Sequence, residues 1–351
     1  MKHKWMIYGA NGYTGRLVTK EAKKRGMQPI LAGRNRQALD DICAETGFEC
    51  RVFDLEDHDA VKEALDGVAL VLHCAGPFSA TSQPMIEACL ECGCHYLDIT
   101  GEISVFANAH RQSEEALHAD IVLMPGVGFD VVPTDCLAAS LVEALPAATS
   151  MTLAFLSGGR MSPGTAKTSI EGLAGGGCVR KDGKLKWVPL AWKSREIPFK
   201  QGKRMAVTIP WGDVFTAYIS TGVPDIEVYM AAPPSTVMRM KRMRMVKPLL
   251  SMQWVQNAMK RKVEKSIRGP DQAARKGSQM QLWGEVSSAD GRSVSAHMIT
   301  PDGYDVTVTA SLGIVQHLLE NEVEGGFYTP SLLMGADYAA SLPGVSMEVN
   351  A

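Results

Sequence analysis

The chain has 351 residues, of which 46% are hydrophobic and 21% are charged. This length exceeds what one hydrophobic core usually accommodates, so we expect an ordinary globular protein of two domains. A formal net charge of -2 provides no overall attraction to nucleic acid, which is therefore excluded as an expected partner. The first apolar stretch is too short for a signal peptide, and no apolar run is long enough to span a bilayer, so a cytoplasmic location is expected.

Eight cysteines occur in the chain, and without a secretion signal we expect them to be reduced thiols. The segment Cys89-x-x-Cys92-x-Cys94-His95 has a spacing that resembles a metal motif. However, Cys89 falls in a helical pattern that ends at Gly93, and Cys94 begins the next strand. The side chains should therefore diverge, and no metal site is predicted.

From residue 5 to about residue 135, apolar runs of strand length alternate with amphipathic helical stretches. This alternation is typical of a parallel sheet covered on both faces. The six predicted strands are Trp5–Tyr8, Gln28–Ala32, Glu49–Phe53, Leu70–Cys74, His95–Ile99 and Ile121–Met124. Helices are predicted to start near Gly12, Arg36, Asp57, Ser82 and Ser104, and a further helix covers Thr134–Leu145. The sequence therefore predicts an α/β fold, with an N-terminal Rossmann domain (residues 1–147) built on a doubly wound parallel sheet.

After residue 147 the pattern changes to strand-like segments separated by long Gly-rich loops. It predicts a second α+β domain on a mixed sheet over residues 148–303. Its predicted strands are Met151–Leu156, Arg204–Pro210, Asp225–Ala231, Gln279–Val286 and Val294–Thr300. Ser162 is expected to cap a helix that ends at Gly175. A last helix over 304–321 opens a C-terminal segment (304–351), which is a candidate to return to the Rossmann domain.

Gly9, Gly12 and Gly15 directly follow the first predicted strand and open a helix. In such a turn, glycines let the backbone approach a pyrophosphate, and the first N–H groups of the helix favour negative charge. The context of strand, turn, helix and second strand makes a dinucleotide-binding loop the favoured interpretation. Tyr13, inside this loop, is interpreted as a cofactor contact rather than a catalytic tyrosine.

The second strand ends in Gly33-Arg34, where NAD enzymes carry an acidic residue for the ribose hydroxyls. Arg34 offers a planar fork of donors to a 2′-phosphate, which favours NADP(H), although a solvated arginine is the alternative. Asp54, after the third strand, is placed to accept from the adenine amino group or to cap the next helix. Gly76 and Pro77, after the fourth strand, suit a backbone that passes close to ribose and nicotinamide.

Five segments in this order resemble the saccharopine dehydrogenase-like oxidoreductases: residues 9–15, 32–35, 74–78, 96–102 and 125–135. Within that superfamily they are more similar to the branch that includes trans-acting enoyl reductases. The resemblance implies hydride transfer from NADPH and a second domain that carries the substrate and often a homodimer interface. It also implies cofactor contacts at Asn11, Gly12, Tyr13, Thr14, Gly33, Arg34, Asn35, Asp54, Leu55, Ala75, Gly76, Thr100 and Gly101.

Hydride transfer needs a proton donor or acid beside the nicotinamide. Acidic and hydroxyl side chains follow predicted strands four to six, at Asp98, Thr100, Glu102, Asp130, Thr134 and Asp135. Asp130 and Glu102 are the leading catalytic candidates, and Asp98 is the third. Each has a structural alternative, as a turn acceptor or as a helix cap.

Residues 235–276 hold twelve Lys/Arg and two acidic residues, with six methionines interleaved. Basic amphipathic helices of this kind lie on anionic membrane surfaces or bind a partner, and the alternative is a solvated hairpin. Methionine also suits a pocket for flexible acyl chains, so a lid over a lipid-like substrate is a further hypothesis.

Three functions are considered. The favoured one is an NADPH-dependent reductase of a hydrophobic, enoyl-like small molecule. The second is a non-catalytic NADP(H) sensor or scaffold. The third is a saccharopine-type amino-acid dehydrogenase, which needs arginines such as Arg160 or Arg195 for substrate carboxylates. The chain has Phe129-Asp130-Val131-Val132 where saccharopine reductases carry a Pro-Gly, and this argues against the third function.

Overall fold

The computed structural model describes residues 4–159, 161–244, 252–267 and 269–350. The chain divides into two compact units, Met1–Phe129 with Thr307–Thr329, and Asp130–Val306 with Pro330–Ala351. The division at residue 129 lies before the boundary predicted at 147. The predicted C-terminal segment is itself divided, because residues 307–329 belong to the first unit and residues 330–351 to the second.

The first unit is built on a seven-stranded parallel sheet, and the predicted Rossmann fold is confirmed. The strands in chain order are β1 (Lys4–Tyr8), β2 (Ile30–Gly33), β3 (Cys50–Val52), β4 (Val68–His73), β5 (His95–Asp98), β6 (Val122–Met124) and β15 (Gly326–Phe327). They lie side by side in the order β15-β6-β5-β4-β1-β2-β3. β2 and β6 are buried along their whole length, as the continuous apolar runs of a sheet covered on both faces require.

Six helices alternate with these strands: α1 (Tyr13–Lys24), α2 (Arg36–Thr46), α3 (His58–Leu65), α4 (Phe78–Cys92), α5 (Ile103–Arg111) and α6 (Ser113–His118). α1 buries Gly15, Val18, Thr19 and Ala22, which share one face at helical spacing. α4 begins at Phe78, one turn before the predicted start near Ser82, and ends at Gly93 in the left-handed conformation.

The second unit is built on a nine-stranded mixed sheet, and this prediction is also confirmed. Its strands are β7 (Ala148–Ser157), β8 (Gly177–Lys181), β9 (Lys184–Val188), β10 (Ser194–Phe199), β11 (Gly202–Thr208), β12 (Asp225–Ala231), β13 (Gln279–Ser288), β14 (Ser293–Pro301) and β16 (Ser346–Asn350). The main path runs β10-β11-β12-β7-β13-β14-β16, with the β8–β9 hairpin attached to β12. β7 and β12 pair in parallel, whereas the other pairs are antiparallel.

The helices after residue 129 of the chain are α7 (Val132–Ala144), α8 (Pro163–Gly175), α9 (Asp213–Thr221), α10 (Pro234–Met243), α11 (Gln253–Ser266), α12 (Gln272–Lys276), α13 (Gly303–Glu320), α14 (Pro330–Met334) and α15 (Tyr338–Ser341). α7 packs so closely on β13 that a Cβ atom added to Gly284 would lie 2.6 Å from Leu141 Cδ1. This packing assigns α7 to the second unit and accounts for the shift of the boundary. Ser162 caps α8 as predicted, because its hydroxyl accepts from the Thr165 amide at 3.2 Å.

Cys43 and Cys50 are joined in a disulfide, which corrects the expectation that all eight cysteines are reduced. Their Cα atoms are 6.4 Å apart, within the range of disulfides, and the bond ties α2 to β3. Because the two residues fall in different elements, their proximity depends on how α2 packs on the sheet. The other six cysteines are free thiols.

Candidate functional site

The glycine loop between β1 and α1 brings backbone segments closer together than side chains would allow. Gly9 has φ +83°, and a Cβ atom added to it would lie 2.8 Å from the Ala75 nitrogen. A Cβ atom on Gly15 would lie 2.2 Å from the Gly9 carbonyl oxygen. Gly12 caps α1 without a side-chain hydrogen bond, so the capping residue does not satisfy the first N–H groups of the helix. This arrangement fits the pyrophosphate of a dinucleotide.

Gly33 and Arg34 lie where β2 ends beside this loop. A Cβ atom on Gly33 would lie 3.0 Å from the Asn11 side-chain oxygen, so a larger residue would require the Asn11 side chain to shift. The Arg34 side chain is exposed, at the carboxyl end of β2 where the adenosine ribose is expected in this fold. Asn35 accepts a hydrogen bond from the Ala38 amide at 3.1 Å and thereby caps α2.

Asp54 follows β3 and is exposed, and its side chain accepts a hydrogen bond from the Glu56 amide at 3.2 Å. The alternative role of Asp54 as a helix cap is not observed. Asp57 caps α3 instead, by accepting from the Ala60 amide at 3.1 Å. Leu55 is buried. The contact of Asp54 with the adenine stays a prediction.

Tyr8 is a residue that the sequence analysis did not single out. Burial raises the pKa of Tyr8 to about 12, the negative charge of Asp54 adds to this rise, and the positive charge of Arg34 opposes it. The Tyr8 hydroxyl donates to the carbonyl of Phe53, the residue before Asp54, at 3.4 Å. The Tyr8 ring also lies 5.0 Å from that of Phe53. The only signal in the sequence for Tyr8 was its position as the last residue of β1.

The loop after β4 contains Ala75, Gly76 and Pro77, which are predicted to approach the nicotinamide half. Thr81 of α4 fixes this loop, because its hydroxyl donates to the Ala75 carbonyl at 2.7 Å. His73 is fully buried, and its Nε2 lies 3.0 Å from the Thr81 hydroxyl. Burial lowers the pKa of His73 to about 3, so this ring is neutral at physiological pH. Neither residue was predicted to belong to the site.

Asp98, at the end of β5, is completely buried and accepts three hydrogen bonds. One oxygen accepts from the amides of Thr100 (2.9 Å) and Gly126 (3.0 Å), and the other accepts from the Tyr96 hydroxyl at 2.7 Å. Burial raises the pKa of Asp98 to about 6, although these bonds oppose the rise. Asp98 therefore holds together the loops that follow β5 and β6.

Glu102 links two neighbouring loops. Its side chain accepts a hydrogen bond from the Phe78 amide at 3.1 Å, and its own amide donates to the Thr100 hydroxyl at 3.1 Å. Glu102 precedes α5 but makes no side-chain cap there. Its carboxylate caps the start of α4 instead, and it thereby joins the loops that follow β4 and β5. Gly101 lies between Thr100 and Glu102, which are themselves hydrogen-bonded.

Asp130 and Asp135 belong to the second unit and differ in exposure. Asp130 is partly exposed, and desolvation raises its pKa to about 7. Asp135 is completely buried in α7, where one oxygen accepts from the Ser220 hydroxyl and the other from the Ser331 amide at 2.7 Å. Asp130 is therefore the accessible acid of this pair. The catalytic roles of Asp98, Glu102 and Asp130 stay predictions.

The first helix of the basic segment is firmly held. In α10, Val237 is buried and Lys241 Nζ lies 2.9 Å from the Ser194 hydroxyl. Just beyond it, Arg244 donates to the Leu190 carbonyl at 2.6 Å. This helix is therefore anchored on the sheet of the second unit, as basic side chains that cover apolar surface often are.

The next helix, α11, carries exposed apolar and basic side chains. Trp254 has 67% of its surface exposed and Met252 has 45%. Ala258, Arg261 and Lys262 of α11 are exposed as well. A large aromatic side chain thus lies in water on the same helix as exposed basic residues.

Arg160 lies outside the described residues, as do residues 245–251 and 268 of the basic segment. Arg195 lies 3.8 Å from Glu285, and its guanidinium is 5.6 Å from the centroid of the Trp283 ring. The described part of the chain contains no group of three or more His, Cys, Asp or Glu arranged for a metal ion. Over the same residues, no helix combines the length and the apolar character needed to cross a membrane.

Comparison with known proteins identifies the first unit. Residues 5–123 match the family model of the saccharopine dehydrogenase NADP-binding domain. Similar curated proteins are a probable mitochondrial saccharopine dehydrogenase-like oxidoreductase of Arabidopsis thaliana (31% identical over 150 residues) and a trans-acting enoyl reductase of Mycobacterium leprae (32% over 140 residues). Each match covers 37% of this chain, and 32% and 33% of the respective protein. The matched region thus spans about a third of these relatives.

Two solved structures share the whole fold at low identity. Saccharopine dehydrogenase from Saccharomyces cerevisiae has a TM-score of 0.67 at 10% identity, and the match covers 99% of this chain and 100% of that one. Homospermidine synthase from Legionella pneumophila, solved in complex with NAD, has a TM-score of 0.66 at 9% identity, with 99% and 91% covered. The resemblance seen in the sequence is confirmed over residues 5–123, which match the NADP-binding domain of saccharopine dehydrogenase, and the proteins similar to this region are a saccharopine dehydrogenase-like oxidoreductase and a trans-acting enoyl reductase.

Proposed function

We propose that the protein is an NADP(H)-dependent reductase of a hydrophobic, enoyl-like acyl substrate. The observation that carries this proposal is the adenosine end of the first unit, where the exposed Arg34 follows β2 in place of an acidic residue. The similarity to trans-acting enoyl reductases supports an acyl substrate. A cytoplasmic location and a homodimer remain predictions within this proposal.

The dinucleotide, when bound, supplies a hydride. The turn from Gly9 to Gly15 would hold its pyrophosphate, and Arg34 its 2′-phosphate, while Asp54 would contact the adenine. The loop of Ala75, Gly76 and Pro77, fixed by Thr81 and Glu102, would position the nicotinamide half. Reduction of an enoyl group adds a hydride to one carbon and a proton to its neighbour. We assign the donation of that proton to Asp130, because it is partly exposed and its pKa of about 7 leaves it protonated at slightly acidic pH.

Replacing Arg34 by alanine is expected to weaken NADPH binding by about tenfold to a hundredfold and to leave NADH binding unchanged, because charge-assisted bonds to the 2′-phosphate are lost. Titration of both dinucleotides, followed by fluorescence, measures the effect. Arg36→Ala is the matched control, since Arg36 is also exposed and begins α2. Equal losses of NADPH and NADH affinity in Arg34→Ala would contradict a role in cofactor preference.

The sensor alternative is tested by a screen of NADPH oxidation over enoyl thioesters, imines and ketones. Turnover of an enoyl thioester supports the proposal, and turnover of an imine favours an amino-acid dehydrogenase. Tight NADPH binding without turnover of any class would favour a non-catalytic sensor. The ion pair of Arg195 with Glu285 offers no support for a site that binds substrate carboxylates.

For the basic segment we propose contact with an anionic membrane surface through α11. An exposed tryptophan on the same helix as the exposed Arg261 and Lys262 suits the boundary between lipid headgroups and acyl chains. Binding to phosphatidylcholine vesicles that contain phosphatidylglycerol is expected to fall in Trp254→Ala and in Arg261→Gln/Lys262→Gln, by about 1 kcal/mol for each charge removed. Lys184→Gln/Lys186→Gln in β9 is the matched control, since both lysines are exposed. Equal binding to vesicles with and without phosphatidylglycerol would contradict the proposed contact with an anionic membrane.

A further inference from the structure

His73 is a buried polar residue to which the proposed function assigns no role. It is the last residue of β4 and has no exposed surface. The centroid of its ring lies 5.3 Å from that of Tyr8 and 5.3 Å from that of Phe78, so two aromatic rings pack against it. Burial lowers the pKa of His73 to about 3, and a neutral imidazole carries one hydrogen on one of its two nitrogens.

The two ring nitrogens of His73 have different surroundings. Nε2 lies 3.0 Å from the hydroxyl oxygen of Thr81 in α4. Nδ1 is buried and has no hydrogen-bond partner among the described residues. The position of the single ring hydrogen is therefore decided by the needs of Thr81.

The Thr81 hydroxyl has only one hydrogen to donate. Its oxygen lies 2.7 Å from the Ala75 carbonyl and 3.1 Å from the Pro77 carbonyl, and both of these groups can only accept. With the ring hydrogen on Nε2, His73 donates to Thr81, and the Thr81 hydrogen is free for the two loop carbonyls. With the ring hydrogen on Nδ1, that N–H is buried without an acceptor, and Nε2 competes with the carbonyls. The first arrangement leaves fewer polar groups unsatisfied.

We propose that His73 is a positioning residue whose Nε2–H donates to Thr81 and directs the Thr81 hydroxyl onto the two loop carbonyls. A chain of hydrogen bonds then runs from the buried end of β4 to the loop that is predicted to approach the nicotinamide. The exposed Gly76 lies between the two carbonyl residues in sequence, so the chain orients the accessible part of this loop. The tautomer is independent of the proposed function, whereas the effect on the cofactor rests on the predicted role of the loop.

A second support limits the size of the expected effect. The Phe78 amide, which follows the loop, donates to Glu102 at 3.1 Å, and this bond does not involve His73. Loss of the contact between His73 and Thr81 should therefore loosen the loop without releasing it. We expect the consequence of one hydrogen bond, which is about threefold to tenfold in affinity.

Nitrogen NMR of the full-length protein labelled with ¹⁵N-histidine tests the tautomer directly. The chain has eight histidines, and the signals of His73 are those that disappear in His73→Phe. At pH 7.5 we expect a protonated Nε2 and an unprotonated Nδ1, with the same shifts at pH 5.5. A hydrogen on Nδ1, shifts averaged between the two tautomers, or protonation of both nitrogens would overturn the proposal.

Two ligands distinguish a local effect on the loop from damage to the whole domain. NADPH contains the nicotinamide, whereas 2′,5′-ADP ends at the 5′-phosphate of the adenosine half. His73→Phe keeps a ring but removes the donor, and Thr81→Val keeps the shape but removes the hydroxyl. Each should weaken NADPH binding by about threefold to tenfold and leave 2′,5′-ADP binding unchanged. Equal losses for both ligands would indicate a merely structural role, against the proposal.

Two further threonine variants serve as controls. Thr81→Ser retains the hydroxyl, so its NADPH affinity should stay within about twofold of the wild type. Thr19→Val is the matched control, because Thr19 is a buried threonine in a helix of the first unit whose hydroxyl has no partner among the described residues. A loss in Thr19→Val as large as that in Thr81→Val would count against a specific role of the Thr81 hydroxyl.

A double-mutant cycle tests whether the two residues act in one chain. His73→Phe/Thr81→Val should lose no more NADPH affinity than the more affected single variant, within about twofold. Losses that simply add would mean that the residues act separately, and the chain would be refuted. A wild type that binds NADPH but reduces no enoyl thioester would contradict the proposed function, while these affinities would still decide the role of His73.

Discussion

Gly15→Ala is expected to lose NADPH binding by a factor of about a hundred or more. The added methyl group would lie 2.2 Å from the Gly9 carbonyl oxygen, and the atom it meets belongs to the backbone of the loop itself. Overpacking of this kind typically costs about 1–3 kcal/mol, and here the strain is relieved only by moving the turn that holds the pyrophosphate. Isothermal titration with NADPH measures the loss.

A suitable control for this variant is Gly172→Ala. Gly172 lies within α8, and a Cβ atom there would meet no atom within 4 Å. Alanine is expected to be tolerated at this position and to favour the helix slightly, by about 1 kcal/mol at most. An affinity of Gly15→Ala within threefold of the wild type would mean that the loop adapts, and would count against a tight phosphate-binding turn.

Asp130→Asn is expected to lower kcat of enoyl reduction by about a hundredfold to ten thousandfold, the usual range for loss of a general acid. NADPH affinity should be preserved, because Asp130 lies outside the cofactor-binding domain at residues 5–123. A proton donor must be protonated to act. Since the pKa of Asp130 is about 7, the wild-type rate should fall as pH rises through this value, and the variant should lack this decline.

The other two candidate acids, Glu102 and Asp98, can be compared with Asp130 in the same assay. Glu102→Gln keeps an acceptor for the Phe78 amide, so we expect at most a modest change in kcat. Asp98→Asn disturbs three hydrogen bonds and should reduce stability before it affects the shape of the pH profile. If Glu102→Gln loses as much activity as Asp130→Asn and also loses the alkaline decline, Glu102 is the proton donor and our assignment is wrong.

Local patterns predicted the elements whose packing follows their own sequence. β12 has the predicted limits, Asp225–Ala231, and the six strands from β1 to β6 lie within about two residues of their predictions. Continuous apolar runs between turn residues carry this information directly. The same holds for the glycine loop, where spacing and context suffice.

Elements determined by distant contacts escaped prediction. α9 contains Val, Phe, Thr, Tyr and Ile, which favour strands, and it becomes a helix where it packs against α7. The alternation of strands and helices assigned α7 to the Rossmann domain, whereas its contacts with β13 assign it to the second unit.

The residues of the candidate site also divide into those indicated by local sequence and those that depend on distant contacts. Arg34 and Asp54 could be proposed as cofactor contacts because such roles follow from their distance along the chain from the glycine loop. The carboxyl oxygens of Asp98 and Glu102 accept hydrogen bonds from amides that are distant in sequence, at Gly126 and Phe78 respectively. Local spacing therefore gave no sign of these contacts.

The exposure of Arg34 bears on how this protein can evolve. Its side chain points into solvent, so an exchange at this position disturbs no buried packing and costs little stability. If Arg34 binds the 2′-phosphate as proposed, a single codon change would alter the preference between the two dinucleotides, independently of the rest of the nucleotide-binding surface. Within this lineage, cofactor choice should vary more readily than the fold that carries it.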